Sequence, residues 1–298
     1  MDFRESLKEK RNSLSDGSLK TYNSLLRTIY KNCFKEDKEP NISKFETEKD
    51  IILAFLNSKP FNVRKTLLSA LVCIAPNVKE YKMEMLSNIK EYNDEIDKQE
   101  QTESQKESNI SGQQIKDILY NLKQETDFIY KKKYINDSDI QKLQDYILVC
   151  LLGGQYIVPR RALDYTEFKI RNVNKEVDNY LDKSKFYFNK YKTAKYYGQQ
   201  NLEIPIQLKN ILLKYIAVIP DKIDYLLFGL NGNKLSAVTL NQKLNRIFDG
   251  KVSINALRHS YLTEKYADVM KKTKKMNAEL TQMGSSEQQA KNYVKLDA

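Results

Sequence analysis

Three stretches of the chain carry residue types that could handle a phosphate group. The first is GGQYIVPRRALDYTEFKI, which begins at Gly153. Gly153 and Gly154 interrupt one helix, and Pro159 is placed to open the next, since its missing N–H is one a first turn leaves free anyway. Arg160 and Arg161 would then fall in that first turn, where exposed N–H groups already make the helix end positive and cations are disfavoured. The arrangement makes sense if an anion docks there, gripped by amides and guanidinium together. The alternative is that Asp164 or Glu167 pairs with Arg161. The second stretch, SINALRHSYLTEKY, holds the only histidine, His259, beside Arg258. Ser253 can cap a helix that puts Asn255, Arg258 and Leu262 on one face; the alternative is a satisfied structural pair of Arg258 and His259. The third is the tail, LTQMGSSEQQAKNYVKLDA, where Ser285 or Ser286 followed three residues later by Gln makes a capping box for a helix carrying Tyr293. With 20 tyrosines in the chain, Tyr293 means nothing by itself.

Composition narrows the chemistry. Against 39 Asp+Glu stand 50 Lys+Arg, a formal charge of +11, which favours polyanions and makes nucleic acid the first partner to consider. A solvated, lysine-rich surface would give the same count. Cys33, Cys73 and Cys150 lie far apart in apolar runs and read as buried thiols in a reducing compartment. One histidine and no paired cysteines argue against a zinc site or a two-histidine nuclease, while a magnesium site held by carboxylates stays open. No signal peptide and no apolar stretch near the ~20 residues of a membrane span are present, so a soluble intracellular protein without a membrane partner is expected.

The elements that must position these residues read as mainly helical. In SDGSLKTYNSLLRTIYKNCF, Leu19, Tyr22, Leu26, Ile29 and Cys33 recur at helical spacing behind Ser15 and Ser18. EKDIILAFLN and VRKTLLSALVCIA predict further helices ending before Pro60 and Pro76. Around residues 95–112 the apolar residues give way to Gln, Glu, Lys and Ser, a composition that cannot bury a core and reads as a linker or a solvated helix end. The chain therefore divides near residue 105 into a helical domain, 1–105, and a second domain, 113–298. The second opens with the helix DIQKLQDYILVCLLGG. KFYFNKYKT and NLEIPI then change period and predict a small antiparallel sheet. IQLKNILLKYIAVI, SAVTLNQKLNRIF, SINALRHSYLTEKY and a C-terminal segment return to helix. No internal repeat and no Gly-rich phosphate loop occur.

Taken in order, an arginine after an apolar helix, a lysine in a β-hairpin, LRHSYLT, and MGSS followed by a tyrosine resemble the tyrosine recombinase (phage-type integrase) family. The resemblance runs through residues 110–298, and the helical first domain is similar, in pattern only, to that family's core-binding, DNA-binding domain. It implies a metal- and ATP-independent enzyme without cofactor that cuts and rejoins double-stranded DNA, a site-specific recombinase or integrase working as a homo-oligomer, a tetramer in synapsis. The two domains would form a C-shaped clamp on the duplex.

By this resemblance Tyr293 is the nucleophile, making a 3′-phosphotyrosyl link and releasing a 5′-hydroxyl. Arg161, with Asp164 three residues on, matches the first arginine, with Arg160 as the adjacent alternative, and Arg258 matches the second. Lys192, or else Lys195, would protonate the leaving oxygen. Two positions depart from the pattern. Asn255 stands where His or Lys is usual, and the later His or Trp falls on Gly284 or, by a second alignment, Ser285. His259 follows the arginine where the family's histidine is structural rather than the base. The resemblance leaves open a non-catalytic DNA-binding descendant and a type IB topoisomerase or telomere resolvase. With five residues after Tyr293, subunit contacts are expected from elsewhere, such as KYADVMKKTKKMNAELTQ. The Lys-, Asn- and Tyr-rich, Trp-free composition suits a large DNA virus, virophage or other mobile element.

Overall fold

The structure, a computed structural model, describes residues 2–35 and 40–295. The chain divides into two compact units between Gln101 and Thr102. In the first, α1 (Arg4–Lys10), α2 (Asp16–Cys33), α3 (Lys44–Thr47), α4 (Lys49–Asn57), α5 (Phe61–Ile74) and α6 (Lys79–Asp97) follow one another without a strand among the described residues. Ser15 starts α2, its Oγ accepting the Ser18 N–H at 3.2 Å. Leu19, Leu26 and Ile29 then share the buried face their spacing predicts. Phe3, Tyr30 and Phe45 close the core with ring centroids 5.3–5.8 Å apart. The hydroxyl of buried Tyr81 donates to the Phe45 carbonyl at 2.8 Å, so this aromatic core leaves no phenol unsatisfied there.

The second unit is built round a buried helix. After α7 (Glu103–Glu107) and α8 (Gly112–Ile129), α9 (Asp137–Leu152) is buried at every residue from Leu143 on, and from Tyr146 to its end it is apolar all round, as expected of a core helix. Asn136 and Asp139 form its capping box. Then come α10 (Ala162–Thr166), β1 (Phe168–Lys169), β2 (Asn179–Asp182), β3 (Lys185–Phe188), α11 (Ala194–Tyr197), β4 (Gln200–Glu203), α12 (Ile206–Ile216), α13 (Ala237–Ile247), α14 (Ile254–Gln282) and α15 (Glu287–Tyr293). Lys243 and Arg246 on α13 both pair with Asp145 on α9, at 2.8 and 3.0 Å, fixing the two helices together. Cys73 and Cys150 are buried and Cys33 half-buried, all as free thiols.

The sheet has the order β1-β2-β3-β4. The hairpin residues predicted from KFYF and NLE pair antiparallel, Lys185 with Glu203 and Phe188 with Gln200. β2 joins β3 antiparallel through the turn at Lys183, and two-residue β1 adds to the edge in parallel. The sequence missed β1 and β2, which are too short and too polar for a period-2 signal. Phe186 and Phe188 point inward at spacing two and meet Tyr165 and Phe168 edge to face. Tyr180 and Tyr187 stack on the other face, 4.9 Å apart. α14 runs unbroken for 29 residues, yet buries nothing between Ser260 and Leu280.

Candidate functional site

Arg160 and Arg161 do not lie in a first turn opened by Pro159. α10 starts at Ala162, and Arg161 is its N-cap in extended conformation, φ −78° and ψ 160°. α10 is five residues long, so its dipole offers little to an anion, and any attraction must come from the side chains. The extended run sends Arg160 and Arg161 to different tasks. Arg160 lies against the core: Nε donates to Asp164 Oδ2 at 2.6 Å, Nη2 donates to Gln200 Oε1 at 3.1 Å, and the guanidinium stacks 4.0 Å over Phe188. Glu167 pairs with Lys234. Neither of these carboxylates forms an ion pair with Arg161, and its guanidinium has no hydrogen-bond or ion-pair partner among the described residues.

Arg258 comes to the same place from α14. Ser253 Oγ caps that helix on the Ala256 N–H at 3.2 Å, and Arg258 Nε donates to the Pro159 carbonyl at 3.3 Å. Arg160, Arg161 and Arg258 line one cleft of about 220 Å³ with Pro159, Asp164, Tyr191, Thr193, Tyr197 and Gln200. Three guanidiniums thus face a single carboxylate, leaving an excess of positive charge for an anion. Burial, then the charge of Arg161, push the Arg258 guanidinium below its ordinary value, with Asp164 opposing. Burial pushes the Asp164 carboxyl up, against the pull of Arg160, Arg161 and Arg258. Its Oδ1 is buried without a hydrogen-bond partner.

The cleft wall hangs on a residue that sequence reasoning did not single out. Asn179, fully buried on β2, donates Nδ2 to the carbonyls of Asp164 at 2.9 Å and Lys190 at 2.8 Å. Its Oδ1 accepts the N–H groups of Asn189 at 2.8 Å and Lys190 at 2.6 Å. One amide side chain therefore ties α10 to the β3–β4 connection. Nothing local in VDNYLD marks this role, because all the partners lie on other segments.

No family model matches the chain, and no curated protein matches it. Among solved structures, a lambda integrase dimer bound to a COC′ core site is similar with a TM-score of 0.50 at 12% identity, covering 89% of this chain and 90% of that one. The chain has the tyrosine-recombinase fold. XerH site-specific recombinase bound to difH substrate is also similar, at TM-score 0.46 and 15% identity, covering 88% of this chain and 73% of that one.

Within this recombinase fold the remaining sequence-predicted residues fall outside the cleft. Lys192 is exposed on the β3–β4 connection, between the cleft residues Tyr191 and Thr193. Of its neighbours, Lys185 pairs with Glu203 at 2.9 Å, Lys190 pairs with Asp178 at 3.0 Å, and Lys195 lies over the Tyr196 ring. Asn255 and His259 are exposed and line no part of the cleft. His259 makes no pair with Arg258, whose partner is a carbonyl. Gly284, at φ +66°, closes the end of α14: its N–H reaches Thr281 O at 3.0 Å and the Ser285 N–H reaches Leu280 O at 2.8 Å. That left-handed turn is what a glycine is suited for. Ser286, not Ser285, caps α15 on the Gln289 N–H at 3.3 Å. Tyr293 ends α15 with 79% of its surface exposed and is not part of the cleft lining. Among the described residues no group of three His, Cys, Asp or Glu could hold a metal, and no helix is long and apolar enough to cross a membrane.

Proposed function

We propose that this protein breaks and rejoins double-stranded DNA as a site-specific tyrosine recombinase. The observation that carries the reading is the convergence of Arg161 and Arg258, distant in sequence, on one cleft with their outer nitrogens unspent. A phosphodiester entering it would set its non-bridging oxygens between two guanidiniums, which neutralise the charge that grows during attack. The Tyr293 oxygen attacks phosphorus, the 3′-phosphotyrosyl bond forms, and the 5′-oxygen leaves with a proton. The broken bond's energy is kept in the adduct, so the return step needs no nucleotide. A phenol of pKa about 10 needs help to ionise at neutral pH, and the field of the arginines favours the phenolate. Lys192 supplies the proton to the leaving oxygen; the pairing of Lys185 and Lys190 elsewhere supports it over those two.

The first unit, 1–101, adds backbone contacts on the duplex, and the synaptic form is a tetramer. Binding weakens steeply with salt as phosphate contacts release counterions. The exposure of Tyr293 outside the cleft favours a second reading, a DNA-binding protein that no longer cleaves.

Nicked duplexes of randomised sequence, trapped in denaturant and sequenced, separate the two. The wild type should yield a covalent adduct that Tyr293→Phe abolishes while duplex affinity holds. The same absence of adduct in both proteins, with binding intact, makes the second reading the right one.

A further inference from the structure

The β3–β4 connection is pinned to the arginine cleft at both ends. α11 is a single turn, and Gly198 closes it at φ +65°. Tyr191, almost fully buried, donates its hydroxyl to the Gly198 carbonyl at 2.8 Å. Just beyond, Gln200 accepts from Arg160. These anchors hold Tyr197, the last residue of the turn, in the cleft lining with 70% of its surface exposed. Its hydroxyl has no hydrogen-bond partner among the described residues, whereas those of Tyr191 and the side chain of Gln200 are already committed.

We propose that Tyr197 contacts the DNA phosphate directly, its O–H donating to a non-bridging oxygen of the phosphodiester held by Arg161 and Arg258. The proposal rests on the function proposed above for the identity of the ligand as a phosphodiester. The cleft already crowds three guanidiniums, and Arg258 is held below its ordinary value by burial first and then by the charge of Arg161. A neutral donor adds a hydrogen bond to the phosphate without adding to that repulsion. Thr193, the other uncommitted hydroxyl in the lining, sits on a much shorter side chain.

Tyr197→Phe removes one O–H from an exposed ring and leaves the fold intact. Two measurements read its effect. Inorganic phosphate, titrated by calorimetry, should bind the variant about fivefold more weakly, the loss of one hydrogen bond. The rate of adduct formation on the randomised nicked pool should fall at least about tenfold, since a donor aimed at developing charge is worth more than in the ground state. Duplex affinity should hold within about twofold, being spread over many contacts. Tyr196→Phe, on the same turn but outside the lining, should change none of these.

Unchanged phosphate affinity together with an unchanged adduct rate overturns the assignment and leaves Tyr293 as nucleophile. An adduct that survives Tyr293→Phe but not Tyr197→Phe overturns it too, making Tyr197 the nucleophile. A wild type that forms no adduct sinks the recombinase reading, while a weakened phosphate affinity in Tyr197→Phe still upholds the contact.

Discussion

Around the arginine cleft the polar groups are tied to one another across several elements: Asn179 to α10 and the β3–β4 connection, Arg160 to Asp164 and Gln200, Arg258 to Pro159. The tail from Met283 to Tyr293 is held differently. It buries only Ala290 and depends on two local devices, the Gly284 turn and the Ser286 cap. A charge-stabilising site gains from being rigid, because donors already in place cost no reorganisation when charge develops. A segment with few buried contacts opens at low free energy and can take more than one position. On the function proposed above, the anion-holding half of the site is built before DNA arrives, while the half carrying Tyr293 is free to be placed by it.

Four substitutions test this contrast, starting with the largest effect. Arg258→Ala should lower the rate of adduct formation by about 10²–10³-fold at saturating DNA, the usual worth of one donor to developing charge. The melting temperature should scarcely move, because the guanidinium makes a single long bond to the protein. A large fall in stability without a loss of rate would make Arg258 a structural residue.

Asn179→Ala should destabilise the second unit by about 3 kcal/mol or more in urea, since it strands several buried N–H and carbonyl groups. If it cost no more than a surface change, the cleft wall would not be as rigid as its bonds imply.

Asp178 probes the same wall by pH. Burial resists its ionisation most strongly, but the Asn174 N–H and the ammoniums of Lys169 and Lys190 prevail and hold the carboxyl down to about 2. A carboxyl depressed in the folded state contributes stability above its unfolded value of 3.8, and that contribution is lost as pH falls toward 2. It amounts to about 2 kcal/mol at neutral pH. Asp178→Asn should therefore flatten the acid limb of a urea-midpoint profile below about pH 4, and an unchanged limb would place the acid sensitivity elsewhere.

Gly284→Ala has the smallest expected effect. An added Cβ meets nothing within 4 Å, but φ is +66°, so the cost is backbone strain of about 1 kcal/mol. That strain should appear as faster amide exchange in α15 with little change in the melting temperature. A drop in melting temperature like that of Asn179→Ala would mean the tail belongs to the core after all.

The helices were legible because their signals are local. The Ser15 and Ser253 caps, the stops before Pro60 and Pro76, and the apolar run of α9 each lie within a few residues of what they control. The hairpin of β3 and β4 was legible for the same reason. The site was legible only in part. PRRALD did not reveal that α10 starts at Ala162 or that Arg160, rather than Arg161, takes Asp164, because the choice is made by Phe188 and Gln200 on other strands. Asn179, Tyr191, Tyr197 and Gln200 gave no signal at all, since a polar residue in a short strand or loop looks the same whether it faces solvent or a cleft.

By itself the sequence determined the chain's helical character, the small sheet, the positive charge and the arginine-bearing segments that resemble a recombinase. The tertiary structure decided which guanidiniums remain uncommitted, which side chains share their cleft, and that Tyr293 stands outside it. Helix and strand preferences are set by neighbours a few residues away. The environment of a charge is set by whatever the fold brings within a few ångströms, and most of that comes from elsewhere in the chain.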